Sequence, residues 1–148
     1  MNVNPESQSQ INQLEERLID LNQVIRQHRE YIKTKYKLTA LEMELIQFVA
    51  HNGPQKMKEV SENFYIKLST LTSIIDKAEK KKILKRSNSK QDRRVVYLEI
   101  TKNGRKLFEA YQGLLKHTAK RMEAELGKEK FQAFVGGMEI FARMSIKE

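Results

Sequence analysis

Residues 68–104 read LSTLTSIIDKAEKKKILKRSNSKQDRRVVYLEITKNG, and their order of patterns decides the fold. Leu68, Leu71, Ile74, Ile75 and Ala78 recur at helical spacing. The other side of that helix, expected over about Lys67 to Lys81, carries Ser69, Thr70, Thr72, Ser73, Asp76, Lys77 and Lys80. Ser and Thr are mediocre helix formers, so an exposed face built from four of them has a small local cost. A surface under no constraint but solubility would prefer Glu, Lys and Ala. Short hydroxyl side chains permit close approach of another molecule, and Lys77 and Lys80 add positive charge. A short strand is expected near Ile83 to Arg86, then a polar loop, Ser87 to Asp92. Val95 to Ile100 alternates cleanly, with Val96, Leu98 and Ile100 on one face. The pair reads as a two-stranded hairpin whose tip holds Lys90, Asp92, Arg93 and Arg94.

Upstream, Thr39 and Glu42 have the spacing of a capping box that opens a helix with Leu41, Leu45 and Phe48 on one side. Asn52-Gly53-Pro54 stops it, and a short third helix is expected over about Gln55 to Asn63, with Met57, Val60 and Phe64 inward. Helix, helix, helix, hairpin is the order of a winged helix-turn-helix, here spanning residues 37–103.

Long helices flank this module. From Ser9 to Thr34 the residues Ile11, Leu14, Leu18, Leu21, Ile25, His28 and Ile32 alternate by three and four, a narrow seam that calls for a partner helix. His28 in that seam is either a partly solvated interface residue or a pH-sensitive contact. After the hairpin, Thr101 caps a long helix that ends at Gly127. A last helix runs from Lys128 to Met144 with Phe131, Phe134, Val135, Met138 and Phe141 apolar. Gly136-Gly137 in its middle implies a kink or the close approach of another backbone. The expected organisation is a disordered stretch at 1–7, helical dimerisation regions at 8–36 and 104–148, and the winged module between. Ile11, Leu14, Leu18, Phe134 and Phe141 are the candidate dimer contacts.

The 148-residue chain has a net charge of +9, and its placement is informative. Between Lys56 and Lys106 stand 15 Lys and Arg against 6 Asp and Glu, while the remaining residues hold 13 of each. A basic block set in a neutral scaffold points to a polyanion, with nucleic acid as the first candidate and an acidic protein or membrane surface as the alternatives. There are no cysteines, which excludes disulfides and thiolate metal sites and suits a reducing cytoplasm. No apolar run reaches membrane-spanning length, and the polar start MNVNPESQSQ lacks a secretory core. The three histidines, His28, His51 and His117, are not spaced as metal ligands. No phosphate loop or nucleophilic set is present, so an enzyme is not expected, nor a cofactor.

On Leu68 to Lys77, Leu84-Lys85-Arg86, Asp92-Arg93-Arg94 and Leu98 to Gly104, the chain resembles the MarR family of bacterial transcription regulators over nearly its whole length. The most specific part is the D-x-R wing tip, followed at fixed distance by a strand and T-x-x-G. Two positions depart from the family pattern: Lys82 stands where glycine is usual, and Val95 where a small residue is usual. The resemblance implies a mainly α-helical homodimer that binds a pseudo-palindromic duplex operator and regulates transcription by repression. An architectural DNA-binding protein of weak specificity is the alternative. The fourth helix would read the major groove with Ser69, Thr70, Thr72, Ser73, Lys77 and Lys80, while Arg86, Lys90, Arg93 and Arg94 meet the backbone or minor groove. Asp92 would orient Arg94. The resemblance also allows release by a small aromatic or anionic effector, with Tyr31, Tyr36, His28, Phe48 and Tyr111 as pocket candidates or plain core.

Overall fold

The computed structural model describes residues 4–144, and the chain divides into two compact units, one through Tyr111 and one from Gln112. The first unit opens with α1, Pro5–Tyr36, followed by α2, Ala40–Asn52. A two-residue strand β1, Gln55–Lys56, precedes α3, Met57–Asn63, and α4, Leu68–Lys80. Strands β2, Leu84–Asn88, and β3, Val96–Ile100, form the wing, and α5, Lys102–Leu126, crosses into the second unit. That unit ends with α6, Lys128–Arg143.

Several sequence-based boundaries are corrected. Helix begins at Pro5, inside the stretch expected to be disordered, because Asn4 caps it by accepting from the Glu6 N–H and Pro5 suits a first helical turn. Residues 1–3 of that stretch lie outside the described residues. Gln55 and Lys56 are strand, not helix. Gly53 at φ +74 turns the chain, and Gln55 pairs with Leu98 and Lys56 with Tyr97. The wing is therefore part of a three-stranded antiparallel sheet, ordered β1-β3-β2. The first wing strand extends to Asn88, which pairs with Val96, so the polar loop is shorter than its composition implied. On α2 the buried face is Met43, Leu45, Ile46 and Val49, with Leu41 and Phe48 only half-buried.

The core of the first unit gathers Met43, Ile46 and Val49 from α2, Val60 from α3, Leu71 and Ile75 from α4 and Leu98 from the sheet, all fully buried. Ile32 joins them from α1, whereas Ile11 and Leu14 in the same seam are more than half exposed. One charge lies within this core. Glu42, 2% exposed, accepts from the Thr39 N–H at 2.8 Å and from Lys81 Nζ at 2.7 Å. Lys81 Nζ also donates to the Lys37 carbonyl at 2.9 Å, which joins the ends of α1 and α4 to the start of α2.

Three helices end in the same way. Lys37, Tyr65 and Lys82 all have φ between +52 and +57. In each case the next residue's N–H reaches back five residues: Leu38 to Lys33, Ile66 to Ser61, Ile83 to Ala78. This is the Schellman closure, which favours glycine because a side chain in the left-handed region costs about 1–2 kcal/mol. The missing glycine at Lys82 thus leaves the turn into the wing intact, at a local cost in strain.

Gly104 answers to a different constraint. A Cβ there would stand 2.1 Å from the Ile83 carbonyl oxygen. Thr101 secures the same corner: its hydroxyl donates to the Lys82 carbonyl at 2.6 Å and accepts from the Gly104 N–H at 3.0 Å. The T-x-x-G motif is therefore a packing device that seats the start of α5 against the strand leading into the wing. In the second unit, α6 is continuous across Gly136-Gly137, and no atom outside the helix backbone lies within 4 Å of a Cβ at either glycine. No close backbone within the described chain accounts for that pair. Phe134, Val135, Ile140 and Phe141 on α6 are all exposed.

Gly104→Ala should destabilise the first unit by about 3 kcal/mol, because the obstructing atom is backbone and cannot swing aside. Urea unfolding checks this; a midpoint equal to wild type would show that the corner has slack.

Candidate nucleic-acid interface

Helix α4 buries Leu71, Ile75 and Ala78 and turns Ser69, Thr70, Ser73, Lys77 and Lys80 to solvent, with Thr72 half-buried. Two of the hydroxyls are engaged locally: Thr72 Oγ1 donates to the Leu68 carbonyl at 2.9 Å, and Ser73 Oγ donates to the Ser69 carbonyl at 3.2 Å. Their protons are thus directed inward along the helix and their lone pairs outward, which makes them acceptors toward any incoming donor.

The wing tip is a built structure. Ser89 Oγ accepts from the N–H groups of Gln91 and Asp92, and the Asn88 amide donates to the Arg93 carbonyl at 3.0 Å. Asp92 Oδ1 accepts from the Arg94 N–H at 2.9 Å and lies 3.4 Å from Arg94 Nε. The backbone bond is the firm one. The side-chain contact is long, and the Arg94 side chain is 93% exposed, so the pair is worth little energetically and acts as a loose guide. Lys90 and Arg93 are exposed as well.

Arg86 has a different setting from the other basic residues. Its guanidinium meets Asp76 Oδ1 at 2.5 Å and Glu79 Oε2 at 2.6 Å, and its own N–H donates to Glu79 Oε1 at 2.7 Å. Both carboxylates stand on α4, while Arg86 stands on β2, so the contact fixes the wing to the helix. The hydrogen bond from Arg86 holds the Glu79 carboxyl below its ordinary range, and the same bond raises the guanidinium further. Grouped with the free cations by sequence, Arg86 is in fact charge-compensated. Across the sheet, Glu99 is likewise held low, first by the Ser87 hydroxyl and then by Lys85.

Helix and wing enclose a groove of about 340 Å³ that brings together Thr72, Arg86 and Arg94 with Lys56, Lys58, Met57, Leu68, Val95 and Val96. Lys56 and Lys58 are absent from the sequence-based set. Their place in the basic block was visible, but the strand that carries Lys56 was not. Lys56 pairs with Glu59 at 3.1 Å, and that carboxylate raises its pKa. Ser69, Thr70, Lys77, Lys80, Lys90 and Arg93 are not among the groove's lining residues. Among the effector candidates, Tyr111 is buried, Phe48 packs edge-on against Phe64 at 5.4 Å, and Tyr31 and Tyr36 are exposed beside Lys35. Among the described residues no cluster could hold a metal ion, and no helix is long and apolar enough to cross a membrane.

Residues 27–111, from α1 to the first half of α5, match the family model described as transcriptional regulator SarA/Rot. The chain belongs to that family. Its members are winged-helix regulators of the MarR type, as the resemblance implied, and this SarA/Rot regulator is a transcriptional regulator of that kind. It is 32% identical over 111 residues to the HTH-type transcriptional regulator YfiV of Bacillus subtilis, covering 74% of this chain and 68% of that protein. Its fold matches a MarR family protein from Bacillus stearothermophilus with a TM-score of 0.77 at 20% identity, over 97% of this chain and 96% of the other. It also matches Streptococcus pneumoniae FabT, solved in complex with DNA, with a TM-score of 0.73 at 22% identity, over 90% and 95% of the two chains.

The Arg86 contact makes a pH prediction. A carboxyl held low in the folded chain adds stability above its unfolded value near 4.5, and loses it as pH falls through the lower folded value. Arg86→Ala removes the cause. The variant should be less stable than wild type at pH 7, and the gap should close as pH falls below about 4. Urea midpoints at both pH values test this; a gap independent of pH would mean Arg86 acts by packing alone.

Proposed function

We propose that this regulator is a homodimer that binds a specific pseudo-palindromic site in double-stranded DNA, represses transcription from it, and is released by a small aromatic or anionic effector. The observation that carries the proposal is that the basic block of the sequence contains both candidate contact elements. The hydroxyl face of α4 and the wing tip with Arg93 and Arg94 belong to the same 51-residue stretch, Lys56 to Lys106, that holds the whole excess positive charge. In this reading Ser69, Thr70, Thr72 and Ser73 approach base edges from α4, and Lys77, Lys80, Lys90, Arg93 and Arg94 contact phosphates or the minor groove. Arg86 keeps the wing at its angle, and Asp92 guides Arg94.

A second copy would cover the apolar residues left bare on α1 and α6, among them Ile11, Leu14, Phe134 and Phe141, with Leu18 half-buried beside the first two. The effector part rests on the family resemblance; beside it, two buried donors, Arg29 Nε on α1 and Gln47 Nε2 on α2, lack a protein acceptor. An effector changes DNA affinity only by binding one arrangement of the reading heads better than another. The proteins named above are regulators, and the proposal assigns this chain no catalysis and a cytoplasmic place of action.

Arg94→Ala should weaken binding to a duplex selected from random DNA by at least tenfold and leave the dimer intact by sedimentation. For wild type, affinity should fall roughly 10³–10⁵-fold between 50 and 200 mM salt if about 6–10 phosphates are neutralised. Preference for the selected duplex by 10³-fold or more is expected of a regulator. A flat salt response would remove the basic block from the mechanism, and loss of that preference would favour the architectural alternative.

A further inference from the structure

Tyr65 closes α3 with φ +52, a position where glycine is unstrained and a bulky side chain is an outlier. Its neighbour Phe64 packs edge-on against Phe48 with ring centroids 5.4 Å apart. Tyr65 itself is 97% exposed, and its side chain makes no hydrogen bond or ring contact among the described residues. The other two left-handed positions hold lysines, for which an exposed head is ordinary. An exposed phenol on a strained backbone has no packing contact to offset the strain, which points to a use outside the chain.

The surroundings say what it meets. Tyr65 lies three residues ahead of the start of α4, and Lys67, Leu68, Ser69 and Thr70 after it are all exposed. No carboxylate intervenes between Glu62 and Asp76. A neutral O–H donor two residues from Lys67, in a stretch with no carboxylate, suits an acceptor-only, negatively charged oxygen, and tyrosine is among the side chains that contact DNA phosphates. We propose that Tyr65 is a DNA-backbone contact: its hydroxyl donates to a phosphate oxygen beside the groove that α4 enters. This rests on the DNA-binding reading above and adds to it a residue outside the helix and the wing. An acidic protein surface is the competing occupant, and the test separates the two.

The deciding variant is Tyr65→Phe, which keeps the ring and removes only the donor. With a duplex selected by the wild-type protein, Tyr65→Phe should bind roughly tenfold more weakly, the size of effect expected for a hydrogen bond to a charged group. The loss should be the same on a non-selected duplex, because a phosphate contact carries no sequence information. The slope of affinity against salt should not change, because a neutral residue releases no counterion. Tyr65→Asn, which tolerates the left-handed turn, should unfold at a temperature no lower than wild type and also bind less tightly. Tyr65→Phe binding both duplexes as tightly as wild type would overturn the inference and leave a protein partner as the reason for the exposed ring. If wild type itself bound no duplex, the DNA-binding reading would fail first.

Discussion

A carboxylate removed from water must be compensated or it destabilises what surrounds it, and Glu42 is the place where this chain meets that constraint. The Lys81 ammonium and the Thr39 N–H compensate it, and Lys81 spends a further donor on the Lys37 carbonyl. Three helix ends are thereby fixed by one cation. Lys81 is the last residue of α4's closing turn, so the helix that presents the hydroxyl face is anchored at its far end to α1 and α2. The other anchor is Arg86, which ties two turns of the same helix to the wing. Between them, Lys81 and Arg86 hold the C-terminal half of α4, while Leu68, Ser69 and Thr70 at its start are exposed. This arrangement suits the recognition role proposed for α4: rigid where it joins the scaffold, unencumbered where it projects.

The charge-bearing surface also shows that a count of lysines and arginines overstates the free charge. Arg86 and Lys56 are matched by carboxylates on the neighbouring helix, α4 and α3 respectively, whereas Arg93, Lys77, Lys80 and Lys90 make no ion pair among the described residues. Arg94 touches only Asp92, at 3.4 Å. The basic residues therefore divide into those that hold the shape and those left to interact. Only the second group contributes counterion release on binding a polyanion.

Much of this was legible from residue order. The capping box at Thr39 and Glu42 is formed as its spacing implied, because both partners lie within one helical turn. The helix α4 and the strand β3 were also readable from local periodicity, but their buried faces are narrower than the pattern implied: Leu68 is exposed and Ile74 half-buried on α4, and Leu98 alone of Val96, Leu98 and Ile100 is fully buried on β3. What the sequence hid is non-local. Nothing in Gln55-Lys56 announces a strand; the pairing is imposed by Leu98 and Tyr97, more than forty residues on. Asp76 and Glu79 lie on the helix and Arg86 beyond a turn, so their convergence depends on the angle of the Lys82 corner. Gly104 stood out only as the end of the T-x-x-G motif, and its role, clearance for the Ile83 carbonyl, appears only in three dimensions. Tyr65 carried no signal at all, because solitary aromatic residues are common and its strain is a property of the backbone.

The inward-turned hydroxyls of α4 bear on how finely such a helix can discriminate. Guanidinium and carboxamide forks grip one base pair through two bonds at once, and Ser and Thr cannot. If α4 reads bases as proposed, hydroxyls that make one bond each would rank sequences by small increments, and near-cognate promoters would be filled in proportion to their quality as the protein's abundance rises. The chemistry of four short side chains would in this way produce a tiered hierarchy of controlled genes in place of one all-or-none target.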